Sequence, residues 1–331
     1  MNEDYICPCQ EIDPEHFLSN EEVFELLSKE NYDFKEHDYY RIFNCIHCNA
    51  CGTSEERFLL KEKFLKNGYK IEGLNKILSN FEKFKSPFIH NKSRVKPIEG
   101  IPSESSTLLY LGCFTTVKTP KYAENIIRYL LKEEVDFCTL EEEICCGYPI
   151  LCMGERSFYN KFVKENLQLF KSKGFNRIIT ACPSCYMVFK KHYSDHEIRV
   201  NYFTDYLKPA FPKKSGNLII QHACPLKNGE IPGIADDLEH LFSESGYNVL
   251  NEVPRNCCGF GVGHQLRVDI SEAIAMKRMK DFTEEGGYVK NLDSENNFIT
   301  SYCPDAFWVL RAYGRKQRIP FKVKDMCALL M

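Results

Sequence analysis

The chain of 331 residues is long enough for two or three folded units, and a 44% hydrophobic content is enough to bury their cores. A net charge of −3 excludes an overall basic field for nucleic acid, and no apolar run reaches the length of a membrane span. Seventeen cysteines behind an acidic start, Met1-Asn2-Glu3-Asp4-Tyr5, read as metal ligands in a reducing cytoplasm rather than as disulfides.

Cys7-Pro8-Cys9 comes first, and Asp13-Pro14-Glu15 then opens a helical pattern through Phe17, Val23, Phe24, Leu26 and Leu27. Cys45, Cys48 and Cys51 follow at two-residue intervals. This is three-quarters of a bacterial ferredoxin run, with Glu55 where the fourth cysteine belongs, so the fourth ligand must come from elsewhere. The tail of a first such motif would supply it, and Cys7 has the cysteine–proline context while Cys9 stays available. Zinc on the same thiols remains an alternative, and His47 reads as a surface or supporting residue. Helices are expected over 55–65 and 74–84. Residues 83–106, with Pro87, Pro97 and Pro102, read as a linker or surface strap.

Two related stretches follow. In the first, a strand (107–112) leads to Cys113, then come a helix (120–133), a strand (135–140) and the pair Cys145-Cys146-Gly147. A helix (155–172) and a strand (177–181) lead to Cys182-Pro183-Ser184-Cys185, which opens another helix. In the second, a strand (218–223) leads to Cys224, then come a helix (231–244), a strand (247–253) and Cys257-Cys258-Gly259. A helix (269–282) and a strand (298–301) lead to Cys303-Pro304-Asp305-Ala306. The separations between thiols are 31 and 35 residues in the first copy and 32 and 44 in the second. Alternating strands and helices predict parallel sheets, with ligands gathered at the carboxyl ends of the strands.

Five thiols on three segments limit the chemistry. Adjacent cysteines are poor disulfide partners, because a trans peptide holds their Cα atoms only about 3.8 Å apart. One zinc or one cubane cluster takes four ligands, so a fifth thiol points to a larger or more open polynuclear iron–sulfur centre. A thioredoxin-type dithiol at Cys182 and Cys185 would leave the other three thiols unexplained.

On these residues and spacings the chain resembles the CCG-domain iron–sulfur family, whose members include the B and D subunits of heterodisulfide reductase. The resemblance implies an α/β fold of two CCG halves about a pseudo-twofold axis. It implies a noncubane [4Fe-4S] cluster on Cys113, Cys145, Cys146, Cys182 and Cys185. The N-terminal segment resembles a helical ferredoxin domain of the C subunit with one cluster lost, which implies one cubane [4Fe-4S] cluster on Cys45, Cys48, Cys51 and either Cys7 or Cys9. The expected boundaries are a helical ferredoxin-like domain at 1–85, a linker at 86–106, and CCG domains at 107–212 and 213–331. The second copy departs from the family at Ala306, where the fifth thiol is missing. Cys224, Cys257, Cys258 and Cys303 remain for an iron–sulfur cluster with Asp305 or water at a spare iron, for zinc, or for a purely structural role.

The leading expectation is an oxidoreductase subunit that passes electrons from the N-terminal cluster to the first CCG cluster, which reduces a disulfide. A non-catalytic electron-transfer subunit and a zinc or structural assembly module are the alternatives. The chain shows no flavin or nicotinamide motif, so a redox partner, a flavoprotein or ferredoxin-like subunit, is expected. The composition fits an anaerobic microbe. Cys138, Cys152 and Cys327 read as packing residues. The loop from Gly259 to Gly263 reads as a place where backbone amides approach the sulfide of a cluster, and His222, His264 and Arg267 read as supporting residues, with anion binding or proton transfer as the alternative.

Overall fold

Short apolar segments set the frame: Thr107–Tyr110 (β1) and Arg177–Thr180 (β2) are almost entirely buried, as both-face-covered parallel strands are. In the computed structural model, which describes residues 7–30, 32–90, 92–261, 266–289 and 296–331, they pair with Arg199–Tyr202 (β3) in one parallel sheet of order β1-β2-β3. Asn217–Gln221 (β4), Asn248–Val249 (β5), Asn297–Ser301 (β6) and Lys322–Val323 (β7) form a second parallel sheet of order β5-β4-β6-β7.

The two sheets repeat one another down to their register. Leu108 pairs with Ile178, five residues before Cys113 and four before Cys182. Ile219 pairs with Ile299, five before Cys224 and four before Cys303. The expected strand at 135–140 is reduced to a single parallel bridge, Leu108 to Cys138, at the edge that β5 occupies in the second sheet. Glu134, at φ 56°, turns the chain there, and only Cys138 comes alongside β1. The strand expected at 247–253 is likewise only two residues long. β3 and β7 were not anticipated, because short edge strands of mixed polarity carry little pattern.

Helices cover the sheets. Cys113–Lys118 (α6), Pro120–Lys132 (α7), Tyr148–Cys152 (α8), Arg156–Ser172 (α9) and Pro183–Tyr193 (α10) belong to the first half. Ile234–Glu244 (α11), Val268–Lys280 (α12), Pro304–Gln317 (α13) and Met326–Leu330 (α14) belong to the second. Pro183 and Pro304 each open a helix, where proline's fixed φ and missing N–H are harmless. Cys182 and Cys303 therefore sit at N-caps just past a strand end, with matching backbone angles.

Before them, Pro8–Ile12 (α1), Asn20–Ser28 (α2), Asp38–Ile42 (α3), Ser54–Lys66 (α4) and Leu74–Phe84 (α5) form the helical N-terminal segment. The helix expected from Asp13 is only a 3-10 turn there. The regular helix waits for a capping box, in which Ser19 Oγ accepts from the Glu22 amide and Glu22 Oε2 from the Ser19 amide. Phe24, expected on its apolar face, is exposed. The segment braces both halves. α4 packs on α8, α1 packs on α12, and Phe34, Phe58 and Phe81 share a core with Tyr110, Phe170 and Phe189 of the first half. The described residues of 86–106 hold no regular element and strap the first half, with the Arg94 amide donating to the Thr116 carbonyl.

Candidate functional site

The five thiols of the first copy meet at the carboxyl end of the first sheet. Cys113 opens α6 after Gly112, whose φ of 88° favours glycine and where a Cβ would stand only 3.2 Å from Cys185 Sγ. Cys145 and Cys146 precede Gly147, the left-handed cap of α8. Cys182 caps α10 and Cys185 lies in its first turn. Cys113 Sγ is 3.4 Å from Cys145 Sγ, and Cys146 contacts Cys185.

In the second copy Cys224 follows β4, Cys257 and Cys258 precede Gly259, and Cys303 caps α13. The Gly259 amide donates to Cys257 Sγ at 3.3 Å. Val262, Gly263 and His264 of the loop that begins at Gly259 lie outside the described residues. Ala306 is buried at the position matching Cys185.

All nine thiols line one cavity of about 360 Å³, and Cys48 of the N-terminal segment is a tenth. Phe88, Phe114, Phe260 and Trp308 are partly exposed lining residues and form its aromatic rim, with Lys118 beside them. Asp305 lines the cavity inside that rim.

Charge is the problem this cavity poses. Contacts among thiols, burial and the charge of neighbouring thiolates push Cys145, Cys146 and Cys185 well above the ordinary thiol range. Asp305 is pushed up to about 7, first by burial and then by Cys146. Glu143 is also pushed up to about 7 by burial, although it accepts from the amides of Leu111 and Gly112 at 2.7 and 2.6 Å. Nine converging sulfur donors, of which Cys145, Cys146 and Cys185 resist ionising, fit a polynuclear cation, which would supply the missing positive charge. Among the described residues no three Cys, His, Asp or Glu side chains close on a point as a lone ion requires, and the thiols line the walls of a larger space.

The N-terminal thiols form a second set. Cys7, Cys9, Cys45, Cys48 and Cys51 line one small crevice with Arg57. Residues 44–49 are irregular, and His47 and Asn49 adopt positive φ, which coils the thiols around the crevice. The His47 amide donates to Cys45 Sγ at 3.3 Å. Both Cys7 and Cys9 reach the crevice. A hydrogen bond from Cys9, against the opposing effect of burial, lowers Cys7 to about 6.

The two sets touch. Cys257 contacts Cys224, Cys258 and Cys48, which hold its thiol protonated. Asn228 Nδ2 donates to the Cys48 carbonyl at 2.9 Å, and a Cβ at Gly261 would run into the Ile46 carbonyl. The N-terminal set thus abuts the second copy. It reaches the first copy through Tyr148, which feels both Cys45 and Cys146.

Arg267 proves to be a strut rather than a substrate group. It is buried and bonded to Asp13 Oδ2 at 3.0 Å, Asp269 Oδ2 at 2.8 Å and the Tyr40 carbonyl at 2.7 Å. His47 is buried, not on the surface. His222 is buried, lines the cavity and bonds Glu239. Cys138, Cys152 and Cys327 are buried packing residues. Sequence reasoning missed Arg57 and Lys61, buried beside the N-terminal thiols. Their spacing was the signal: Thr53, Arg57, Leu60, Lys61 and Phe64 form one helical face, so both cations point inward.

Comparison with known proteins agrees with this layout. Residues 107–190 and 218–310, over half of the chain, match the cysteine-rich CCG domain. An uncharacterized iron–sulfur protein of Methanococcus maripaludis is 22% identical over 87% of this chain, and the chain spans 62% of its length. The D subunit of the dihydromethanophenazine:CoB–CoM heterodisulfide reductase of Methanosarcina acetivorans is 22% identical over 85% of this chain and 74% of its own. The EtfAB:quinone oxidoreductase of Syntrophomonas wolfei is 27% identical over 61% of this chain and 30% of its own. The chain belongs to the cysteine-rich CCG domain family and carries two copies of that domain in tandem.

Proposed function

We propose that the chain is an iron–sulfur oxidoreductase subunit of the heterodisulfide reductase B/D kind, working with a redox partner protein. In this reading Cys45, Cys48, Cys51 and Cys7 hold a cubane [4Fe-4S] cluster, and Cys113, Cys145, Cys146, Cys182 and Cys185 hold a noncubane one. Cys224, Cys257, Cys258 and Cys303 hold a third centre. Such clusters supply one-electron storage and, where an iron is open, a place for a substrate sulfur.

The observation that carries the reading is the shared cavity, which brings the thiols of both copies and Cys48 around one space. The Cys48–Cys257 contact supports an order of sites: N-terminal set, second copy, first copy. A disulfide becomes two thiols by taking up two electrons and two protons. The Asp305 carboxyl, raised to about 7, can hold a proton inside the cavity at neutral pH. No described helix is long and apolar enough to cross a membrane.

A second reading, a protein that transfers electrons without a substrate of its own, is favoured by one feature, the loss of the fifth thiol at Ala306. The test is iron, zinc and acid-labile sulfide per chain on protein purified without oxygen, followed by EPR of the oxidised protein with candidate thiols. About 12 irons and a thiol-dependent signal support disulfide chemistry. About 8 irons and a signal indifferent to thiols favour the second reading. Zinc without sulfide overturns both.

A further inference from the structure

The second copy has lost a sulfur donor, and the same copy has gained a nitrogen. The matched register makes Leu111 and His222 equivalent, since each stands two residues before the first cysteine of its motif. It makes Cys185 and Ala306 equivalent at the other end. The copy with five thiols thus carries leucine at the first position, and the copy with four carries histidine.

The state of that histidine is set by its surroundings. His222 Nε2 lies 2.9 Å from Glu239 Oε1. Glu239 is held by Arg255, whose Nε and terminal nitrogen donate to its two oxygens at 3.1 and 2.6 Å, so it is an ionised acceptor. The proton of the neutral ring is therefore on Nε2, and Nδ1 carries a bare lone pair. The imidazole is buried, and Nδ1 has no partner. The ring's two nitrogens point apart, so Nδ1 faces away from the Glu239–Arg255 pair, and His222 lines the cavity with Cys224, Cys257, Cys258 and Cys303. A histidine with one nitrogen on a carboxylate and the other free is how proteins prepare a metal ligand.

His47 gives the contrast. It too lines the cavity with an unpartnered Nδ1, but its Nε2 faces the Lys61 ammonium at 2.6 Å. There Nε2 accepts and Nδ1 bears the proton, which makes His47 a donor and not a ligand.

We propose that His222 Nδ1 is the fifth ligand of the second CCG centre, replacing the thiolate lost at Ala306, with Glu239 as its positioning residue. This rests on the reading above that the second copy holds an iron–sulfur cluster.

The test is pulsed EPR of the reduced, anaerobically purified protein with natural-abundance and 15N-labelled histidine, beside iron and sulfide per chain. Cys258→Ala identifies the signal of the second centre and should lower iron by about four per chain. In the wild type that signal should show a directly bound histidine nitrogen. The coupling should vanish in His222→Ala and in His222→Cys, with iron content retained in His222→Cys, and weaken or change in Glu239→Gln. Signals of the other two centres, unchanged, show that the variants fold. If Cys258→Ala lowers the iron but the wild-type signal carries no histidine nitrogen, the ligand assignment is overturned and the cluster reading stands. If Cys258→Ala leaves the iron unchanged, both are overturned.

Discussion

Lys61 Nζ lies 2.6 Å from His47 Nε2 and 3.1 Å from the Cys152 carbonyl, and the side chain is buried. Together with Arg57, one turn away on α4, it puts two buried cations beside the N-terminal thiols, and neither pairs with a carboxylate among the described residues. Fixed positive charge stabilises an added electron. Lys61→Met should therefore lower the midpoint potential of the N-terminal cluster, by about 59 mV for a tenfold change in its one-electron equilibrium, and Lys61→Arg should largely preserve it. EPR-monitored redox titration measures both, and an unchanged potential in Lys61→Met would remove the electrostatic role.

Arg267 links Asp13 of the N-terminal segment to Asp269 of the second half. Burial opposes ionisation of Asp13, but His16 and Arg267 prevail and hold it below its usual value; Asp269 is held down chiefly by Arg267. For carboxylates depressed in this way, the stabilisation is complete above about pH 4 and is lost as pH falls through the lower folded value. Arg267→Ala should cost about 1–3 kcal/mol, the loss of charge-assisted hydrogen bonds from a buried guanidinium to partly exposed carboxylates. Asp13→Asn should cost less and should flatten the acid limb of stability. Thermal melts from about pH 6 down to about pH 3 report both.

Gly112 holds φ 88° with Cys185 Sγ beside it. Gly112→Ala adds backbone strain of about 1–3 kcal/mol, since φ 88° with ψ 151° lies in a region essentially reserved for glycine, and pushes on a sulfur donor. The variant should lose iron from the first CCG centre while the N-terminal and second centres remain. Iron analysis with EPR assignment decides it, and full iron content would show that the strand end can yield.

A hydrogen bond from Cys9 lowers the Cys7 thiol to about 6, which favours Cys7 as the fourth ligand in the proposed reading. Cys7→Ala should lose the N-terminal cluster signal, whereas Cys9→Ala should keep it with an altered potential. The reverse result would give the ligand role to Cys9.

Much of this site was legible because its chemistry is written in local pattern. Thr107–Tyr110 and Arg177–Thr180 are apolar runs that end in cysteines, and such runs become buried parallel strands with their ligands at one end. Leu74–Phe84 kept the bounds its periodicity gave. Other features depend on partners far away in sequence. The segment around Cys138 has strand composition, but only one residue finds β1. Arg57 and Lys61 look like a solvated face until the cysteines of residues 45–51 are folded over them. Arg267 could not be seen as a strut without Asp13, 254 residues away. The polarity of each histidine is set by a partner, Glu239 or Lys61, that no motif connects to it.

The N-terminal brace has a consequence for traffic. α4 grips the first half, with Gly154 so close to the backbone of Lys61 that a methyl group would not fit between them. α1 grips the second half through α12. Both halves are thus tied to one N-terminal segment. A reactant that enters between Phe88, Phe114, Phe260 and Trp308 would pass four flat rings, which favour a slender or planar group over a bulky one.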